Sequence, residues 1–95
     1  MKFEWDENKA LQNRRKHQVS FETAALAFED ESAIIFEDDR FDYDEIREIL
    51  IGRPLPEREQ CLFVVFVERR ENTIRIISAR KATRAETNRY HEQNH

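Results

Sequence analysis

Arginine, lysine, one internal histidine and a few carboxylates are the side chains that this 95-residue chain offers for chemistry. Between residues 69 and 90, Arg69, Arg70, Arg75, Arg80, Lys81, Arg84 and Arg89 face only two acids, Glu71 and Glu86. Near the other end, Arg14-Arg15-Lys16 runs into His17. Such a set suits the handling of a phosphodiester. RNA carries its own nucleophile, the 2′-hydroxyl. An enzyme acting on it without a metal needs a base for that proton, an acid for the 5′-oxygen, and cations aimed at the phosphorane. Arginine serves the last role through its planar fork. Arg80 and Arg75 are the candidate phosphate binders. His17 leads as acid or base, with Glu86 second.

Each candidate also has a structural use. Thr83-Arg-Ala-Glu86 has the spacing of a capping box, which would occupy the Glu86 carboxylate on its own helix. His17 suits the C-terminus of a helix, where a base complements the dipole. Arg75 can pair with an acid on a neighbouring strand, and Tyr90, one helical turn after Glu86, can pack against a sheet. Strict alternation along Thr73–Arg80 puts Arg75 and Arg80 on opposite faces unless a bulge intervenes. Other chemistry is poorly served. His91 and His95 fall short of the three or four ligands that zinc takes. There is no glycine-rich phosphate loop, and Cys61, inside an apolar run, reads as a small core hydrophobe.

The elements that must position these residues are legible from pattern. Phe3 and Trp5 alternate with Lys2 and Glu4, predicting a short edge strand over 2–5. Asp6 can cap a helix from Glu7 to His17, closed by Gln18 in the place of a positive-φ residue. Ser20 can cap a second helix, Phe21 to about Glu29, with Phe21, Ala24, Ala25 and Phe28 facing inward. Ala33–Phe36 and Glu45–Ile51 read as strands, the second ending at Gly52, the chain's one glycine. Cys61–Val67 is apolar throughout, which predicts a central strand covered on both faces. Asn72 belongs to a hairpin turn, Thr73–Arg80 is the last strand, and a helix capped at Thr83 runs to about Gln93. Short connections after residue 33 make that part an antiparallel meander. The fold class is therefore α+β, a mainly antiparallel sheet with two N-terminal helices and one C-terminal helix, in a single domain over 1–95.

Composition narrows the setting. The net charge of −4 conceals an acidic middle, eleven acids against two arginines over 22–48, between two basic ends. Such a chain can present a phosphate-binding face and an acidic face for a basic partner, or two solvated faces that partly neutralise each other. No apolar run is long enough to span a bilayer, and Met1–Asp6 lacks a signal peptide's apolar core. One cysteine excludes an internal disulfide and fits a reducing cytoplasm.

Certain residues together resemble a known family: Phe3-Glu-Trp-Asp6, Lys9, Asn13, Lys16-His17, Val19-Ser-Phe-Glu22, Glu45-x-Arg47, Ile51-Gly52 and Ile74-Arg-Ile-Ile-Ser-Ala-Arg-Lys-Ala82 with Glu86 and Tyr90. They resemble the BrnT toxins over nearly the whole chain. The resemblance implies a RelE-like fold and a type II toxin. It implies a metal-independent ribonuclease, needing no cofactor, that cleaves mRNA and blocks translation. It also implies a BrnA-like antitoxin encoded alongside, forming a hetero-oligomer that reaches operator DNA through the antitoxin. Three places depart from the family pattern. Gln18 replaces a glycine, Asp30-Glu31 replaces Asp-Pro, and Arg40-Phe-Asp-Tyr-Asp44 replaces a His-Ser, followed by a longer 53–59 loop. Residues and resemblance together nominate His17, Arg75, Arg80 and Glu86 as catalytic. Lys16, Arg69, Lys81 and Tyr90 are nominated to bind RNA, free or on the ribosome. The rival reading is a non-catalytic module of the same fold that acts through its antitoxin complex or by blocking the ribosome.

Overall fold

The computed structural model describes residues 1–42 and 44–94. The order is β1 (Lys2–Glu4), α1 (Glu7–His17), α2 (Phe21–Leu26) with a 3₁₀ turn (Ala27–Glu29), β2 (Ile34–Glu37), β3 (Glu48–Gly52), β4 (Leu62–Arg69), β5 (Thr73–Lys81) and α3 (Arg84–Gln93). Strands β2 to β5 form the expected antiparallel meander. Strand β1 joins its far edge parallel to β5, giving a mixed five-stranded sheet of order β1-β5-β4-β3-β2.

Local chemistry explains the boundaries. Asp6 Oδ1 accepts from the Asn8 and Lys9 amides at 2.8 and 3.2 Å, which starts α1. Gln18 stops it in the left-handed region at φ 57°, at a cost of about 1 kcal/mol for a non-glycine residue. Ser20 Oγ accepts from the Thr23 amide to start α2. The second helix tightens after Leu26, and Ala27 is driven into the core beside Gly52. A Cβ on Gly52 would lie 3.1 Å from the Ala27 carbonyl and 3.0 Å from Ala33 Cβ, so this close approach requires glycine. Glu71 and Asn72, at φ 60° and 59°, make the turn between β4 and β5, the pairing of positive φ values that type I′ hairpin turns use. Strand β3 begins later than its pattern suggests. The Asp38 amide donates to the Arg47 carbonyl, closing the connection just ahead of the strand.

Strand β4 is buried on both faces from Leu62 to Val67, as its composition predicts. One face, with Val64 and Phe66, packs under α1 and α2 against Phe21, Ala24, Ala27, Leu50, Ile76 and Ala79. Edge-to-face aromatic pairs run through it, Phe3–Phe28 and Phe28–Phe66 at 5.2 and 5.0 Å between centroids. The other face, with Phe63 and Val65, packs against Ile49, Ile51, Cys61 and Tyr90 of α3.

The alternation expected along β5 does not hold. Val65 pairs with Ser78 but Phe66 pairs with Ile76, so Ile77 is an extra residue. This bulge shifts the phase of the strand. Arg75 stands opposite Val67 and Arg80 opposite Phe63, four residues apart on β4, so both arginines share the α3 face. The Ile76-Ile77 doublet interrupts the alternation of β5, but strict alternation applied along the whole strand passes over it.

Asn13 locks α1 to this strand. It is 8% exposed, and its Nδ2 donates to the Val19 and Ala79 carbonyls at 3.0 and 2.8 Å. Its Oδ1 accepts from the Ala79 amide at 3.1 Å. Asn13→Ala leaves these buried backbone groups without partners, so it should destabilise the protein by about 2–4 kcal/mol in urea unfolding. An Asn13→Ala variant as stable as wild type would show that the lock is dispensable.

Candidate active site

At the C-terminal end of β5 the Arg80 guanidinium is fixed from three sides. Its Nη1 and Nη2 donate to Glu86 Oε1 and Oε2 at 2.8 and 2.9 Å, a fork-to-fork pair. Nη1 also donates to the Lys81 carbonyl at 3.2 Å. The Phe63 ring lies beneath it, 3.9 Å from centroid to Cζ, on the cross-strand neighbour. A second guanidinium, Arg40, reaches the same ring at 5.1 Å and is itself held by Asp38, 2.8 Å from Nε to Oδ1. Phe63 is thus a platform for two cations.

Glu86 performs the capping role and the pairing role together. Its Oε1 accepts from the Thr83 amide at 2.8 Å, while Thr83 Oγ1 accepts from the Glu86 amide at 3.2 Å. The hydrogen bond from Arg80 and those from Thr83 outweigh burial and hold the Glu86 carboxyl below its usual range. It is therefore a carboxylate at neutral pH, with no proton to donate, and orients Arg80. His17 sits at the end of α1, half-buried. Burial, then the charges of Lys16 and Arg80, lower its pKa below the ordinary 6.5. The imidazole is neutral at pH 7 and able to accept a proton. The Arg80 charge contributes to that lowering although the two residues come from opposite ends of the chain.

The other nominated residues are distributed differently. Arg75 donates to Glu4 on β1 at 2.7 Å, the neighbouring-strand pair that its structural reading anticipated. It lies about 14 Å along the sheet from Arg80, judging by their partners on β4. Arg69 lies near Glu45 at 3.4 Å, opposite Thr73 and roughly 20 Å from Arg80. Arg89 is spent on the Phe36 ring at 3.8 Å, pinning α3 to β2. Lys16 and Lys81 are exposed near Arg80 and His17 in the chain. Tyr90 is interior, 2% exposed, and its hydroxyl donates to Asp30 Oδ2 at 2.8 Å. Its ring has no open face for a base, which favours its packing role over RNA binding. The sequence therefore suggests one basic pole where the structure has two, at opposite ends of the β4–β5 hairpin.

Four organising residues escaped the sequence reading. Asn13 and Phe63 act through long-range contacts that no local spacing reveals. Arg40 lay in a loop marked only as a departure from the family pattern. Asp30 accepts from the Arg53 and Ser32 amides as well as from Tyr90, so it ties together α3 and the 53–60 loop. Burial works to raise the Asp30 pKa, but these hydrogen bonds outweigh it and leave it lowered. Among the described residues no group of three or more His, Cys, Asp or Glu side chains is arranged to hold a metal ion. His95, half of the His91–His95 pair, lies outside the described residues. No described helix is long and apolar enough to cross a membrane.

A family model described as the ribonuclease toxin BrnT of type II toxin-antitoxin systems matches residues 5–86. Among solved structures, the crystal structure of the Brucella abortus ribonuclease toxin BrnT aligns with a TM-score of 0.66 at 26% identity, covering 88% of this chain and 99% of that one. No curated protein matches.

The Arg80–Glu86 pair has a pH signature. Glu86 has a folded pKa below its ordinary 4.5, so its contribution to stability is complete above that value and fades as pH falls through the folded pKa. Asp30 behaves in the same sense, and Glu48, raised by burial and by Glu68 and Glu37, in the opposite one. The difference between wild type and Glu86→Gln isolates the term. Urea unfolding should show wild type more stable than Glu86→Gln at pH 6, with the gap closing below about pH 4.5. A gap that stays constant to pH 3 would contradict this account.

Proposed function

This chain belongs to the BrnT family of ribonuclease toxins of type II toxin-antitoxin systems, and from that premise we propose a metal-independent endoribonuclease centred on Arg80 and His17. The observation that carries the reading is the Arg80 fork pre-oriented by Glu86, with His17, whose pKa burial and the charges of Lys16 and Arg80 lower, at the end of the helix that Asn13 ties to the same strand. Preorganised cations are worth most where charge develops in the transition state. The scissile phosphate binds at Arg80, with Lys16 and Lys81 adding positive field. His17 removes the proton of the 2′-hydroxyl, O2′ forms a bond to phosphorus, and the bond to O5′ breaks. The leaving oxygen takes up a proton, giving a 2′,3′-cyclic phosphate and a 5′-hydroxyl end. Glu86 serves as the positioning residue for Arg80. Arg75 and Arg69 lie too far along the sheet to share that phosphate, and serve as outlying contacts for the RNA chain.

The single domain is of the RelE-like class, and the protein acts in the cytoplasm on mRNA, free or on the ribosome. A BrnA-like antitoxin neutralises it and carries the complex to the operator for autorepression. The acidic loop supports a docking role: Glu37, Asp39, Asp42 and Asp44 surround a concavity beside the exposed Phe41 and Ile46. Basic antitoxin residues fit there, and an acidic antitoxin segment fits the Arg80 end of the sheet.

One observation favours the rival, a non-catalytic module. The Arg80 fork is already satisfied by Glu86, so RNA must share or displace that carboxylate. The readings separate on purified protein with a single-stranded RNA. The enzyme reading expects cleavage, reduced about 10²–10³-fold in Arg80→Ala with unchanged circular dichroism. RNA bound but left intact by wild type would establish the rival. In cells, induced expression should arrest growth, with rescue by the neighbouring gene or by Arg80→Ala.

The pH profile tests His17. A base must be deprotonated, so kcat/KM should rise with pH along a limb whose midpoint lies below 6.5. His17→Ala should remove that limb and cost about 10²–10⁴-fold in rate. A limb retained in His17→Ala would assign the base elsewhere.

A further inference from the structure

A cleft of about 440 Å³ opens on the α1–α2 face of the sheet, between the α1–α2 junction and the 53–60 loop. Three cations line it from three separate segments: Arg14 of α1, Arg58 of the loop and Lys81 at the end of β5. Pro54, Leu55 and Leu62 supply an apolar floor, and Glu22 is the one acid on its wall among the described residues. The arginines Arg40, Arg69, Arg75 and Arg80 each pair with a carboxylate, but among the described residues Arg14, Arg58 and Lys81 have no ion-pair partner. Other concavities among the described residues hold fewer cations or balance them with acids. The one by the acidic loop is negative, and the one at the β4–β5 turn mixes Arg69 and Arg70 with Glu4, Glu68 and Glu71.

We infer that this cleft is a nucleotide subsite, receiving one unstacked base of single-stranded RNA whose chain passes around the end of β5 to Arg80, while Arg14, Arg58 and Lys81 hold the phosphates on the cleft side. The inference rests on the ribonuclease reading above and adds where the neighbouring nucleotide lies. The volume falls within the roughly 300–1,000 Å³ typical of small-ligand sites. An apolar floor with cations at its rim matches a base with its phosphate, and arginine planes can also stack on a splayed base. Position links it to α1: Arg14 is one helical turn before His17, and the cleft lies on the α1–α2 face of the sheet, with Lys81 and Leu62 as cross-strand neighbours there and the Arg80 fork on the opposite face of the same strand end. The wall is also held in place. Asp30 binds the Arg53 amide at 2.8 Å and the Tyr90 hydroxyl at 2.8 Å, anchoring the loop that bears Pro54, Leu55 and Arg58 to α3.

The test compares Arg58→Ala with Arg70→Ala, an equal charge loss at the far β4–β5 turn. The probe is a fluorescein-labelled single-stranded RNA of mixed sequence, 2′-O-methylated to prevent cleavage, and anisotropy is read over a range of salt. Arg58→Ala should weaken binding about tenfold and make the slope of log K against log salt shallower by about 0.7, as expected for one lost phosphate contact to a single strand. Arg70→Ala should change neither by as much. With cleavable RNA, Leu55→Ala should alter which positions wild-type enzyme prefers to cut. Equal effects of Arg58→Ala and Arg70→Ala, with an unchanged cutting pattern in Leu55→Ala, would overturn the subsite while leaving the ribonuclease intact. Wild type that binds the probe through Arg58 but cuts no RNA would overturn the ribonuclease reading and keep the subsite.

Discussion

The buried amide of Asn13 is the contact on which the rest of this structure depends. Helix α1 is short and thinly apolar, so little hydrophobic force holds its C-terminal end to the sheet. Asn13 replaces that force with three hydrogen bonds, two of them to the backbone of Ala79. Ala79 directly precedes Arg80, and Asn13 lies one turn before Lys16 and His17. One side chain therefore sets the distance between the two halves of the proposed catalytic centre. A buried polar group serves this purpose better than an apolar one. Its hydrogen bonds are directional, and a slip in register would leave donors and acceptors unmatched.

The second constraint is the bulge at Ile77. It shifts β5 by one residue, so that Arg80 lies over Phe63 on the α3 face and meets Glu86. Without that shift, Arg75 and Arg80 could not share a face. Ion pairs with Glu4, Glu45 and Glu86 then fix three arginines in different places. Exposed pairs of this kind contribute little stability. Their value is placement, since each decides which arginines are committed and which stay available to an anion.

Opposite charges are interleaved rather than separated. Arg40, held by Asp38 of the loop after β2, and Arg80, held by Glu86, share the Phe63 ring, while the cations Arg14, Arg58 and Lys81 line a cleft with one acid on its wall among the described residues. The chain's negative total therefore coexists with a local positive site. Net charge alone is a poor guide to what such a molecule binds, because the field is set locally.

Sequence alone determined most of the elements. Capping residues at Asp6, Ser20 and Thr83, helical spacing in α2 and the apolar run of β4 are local properties, and each acts within a few residues of itself. The same holds for the meander, whose connections are too short to allow another pairing, and for the chemical repertoire, which composition fixes. Tertiary structure decided what those elements bring together. Arg80, Lys81 and His17 lie at strand and helix ends that Asn13 ties together through Ala79; Arg69 and Arg75, equally basic by sequence, lie elsewhere. Tyr90 turned inward, where Asp30 accepts its hydroxyl hydrogen bond, and Phe63 became a cation platform because Arg80 is its cross-strand neighbour. The bulge that governs this was not read from sequence: the Ile76-Ile77 doublet between Arg75 and Ser78 breaks the alternation, but only the pairing of Val65 with Ser78 and Phe66 with Ile76 shows which residue is extra. Side-chain identity sets what a residue can do. Only contacts between distant segments set whether it is free to do it.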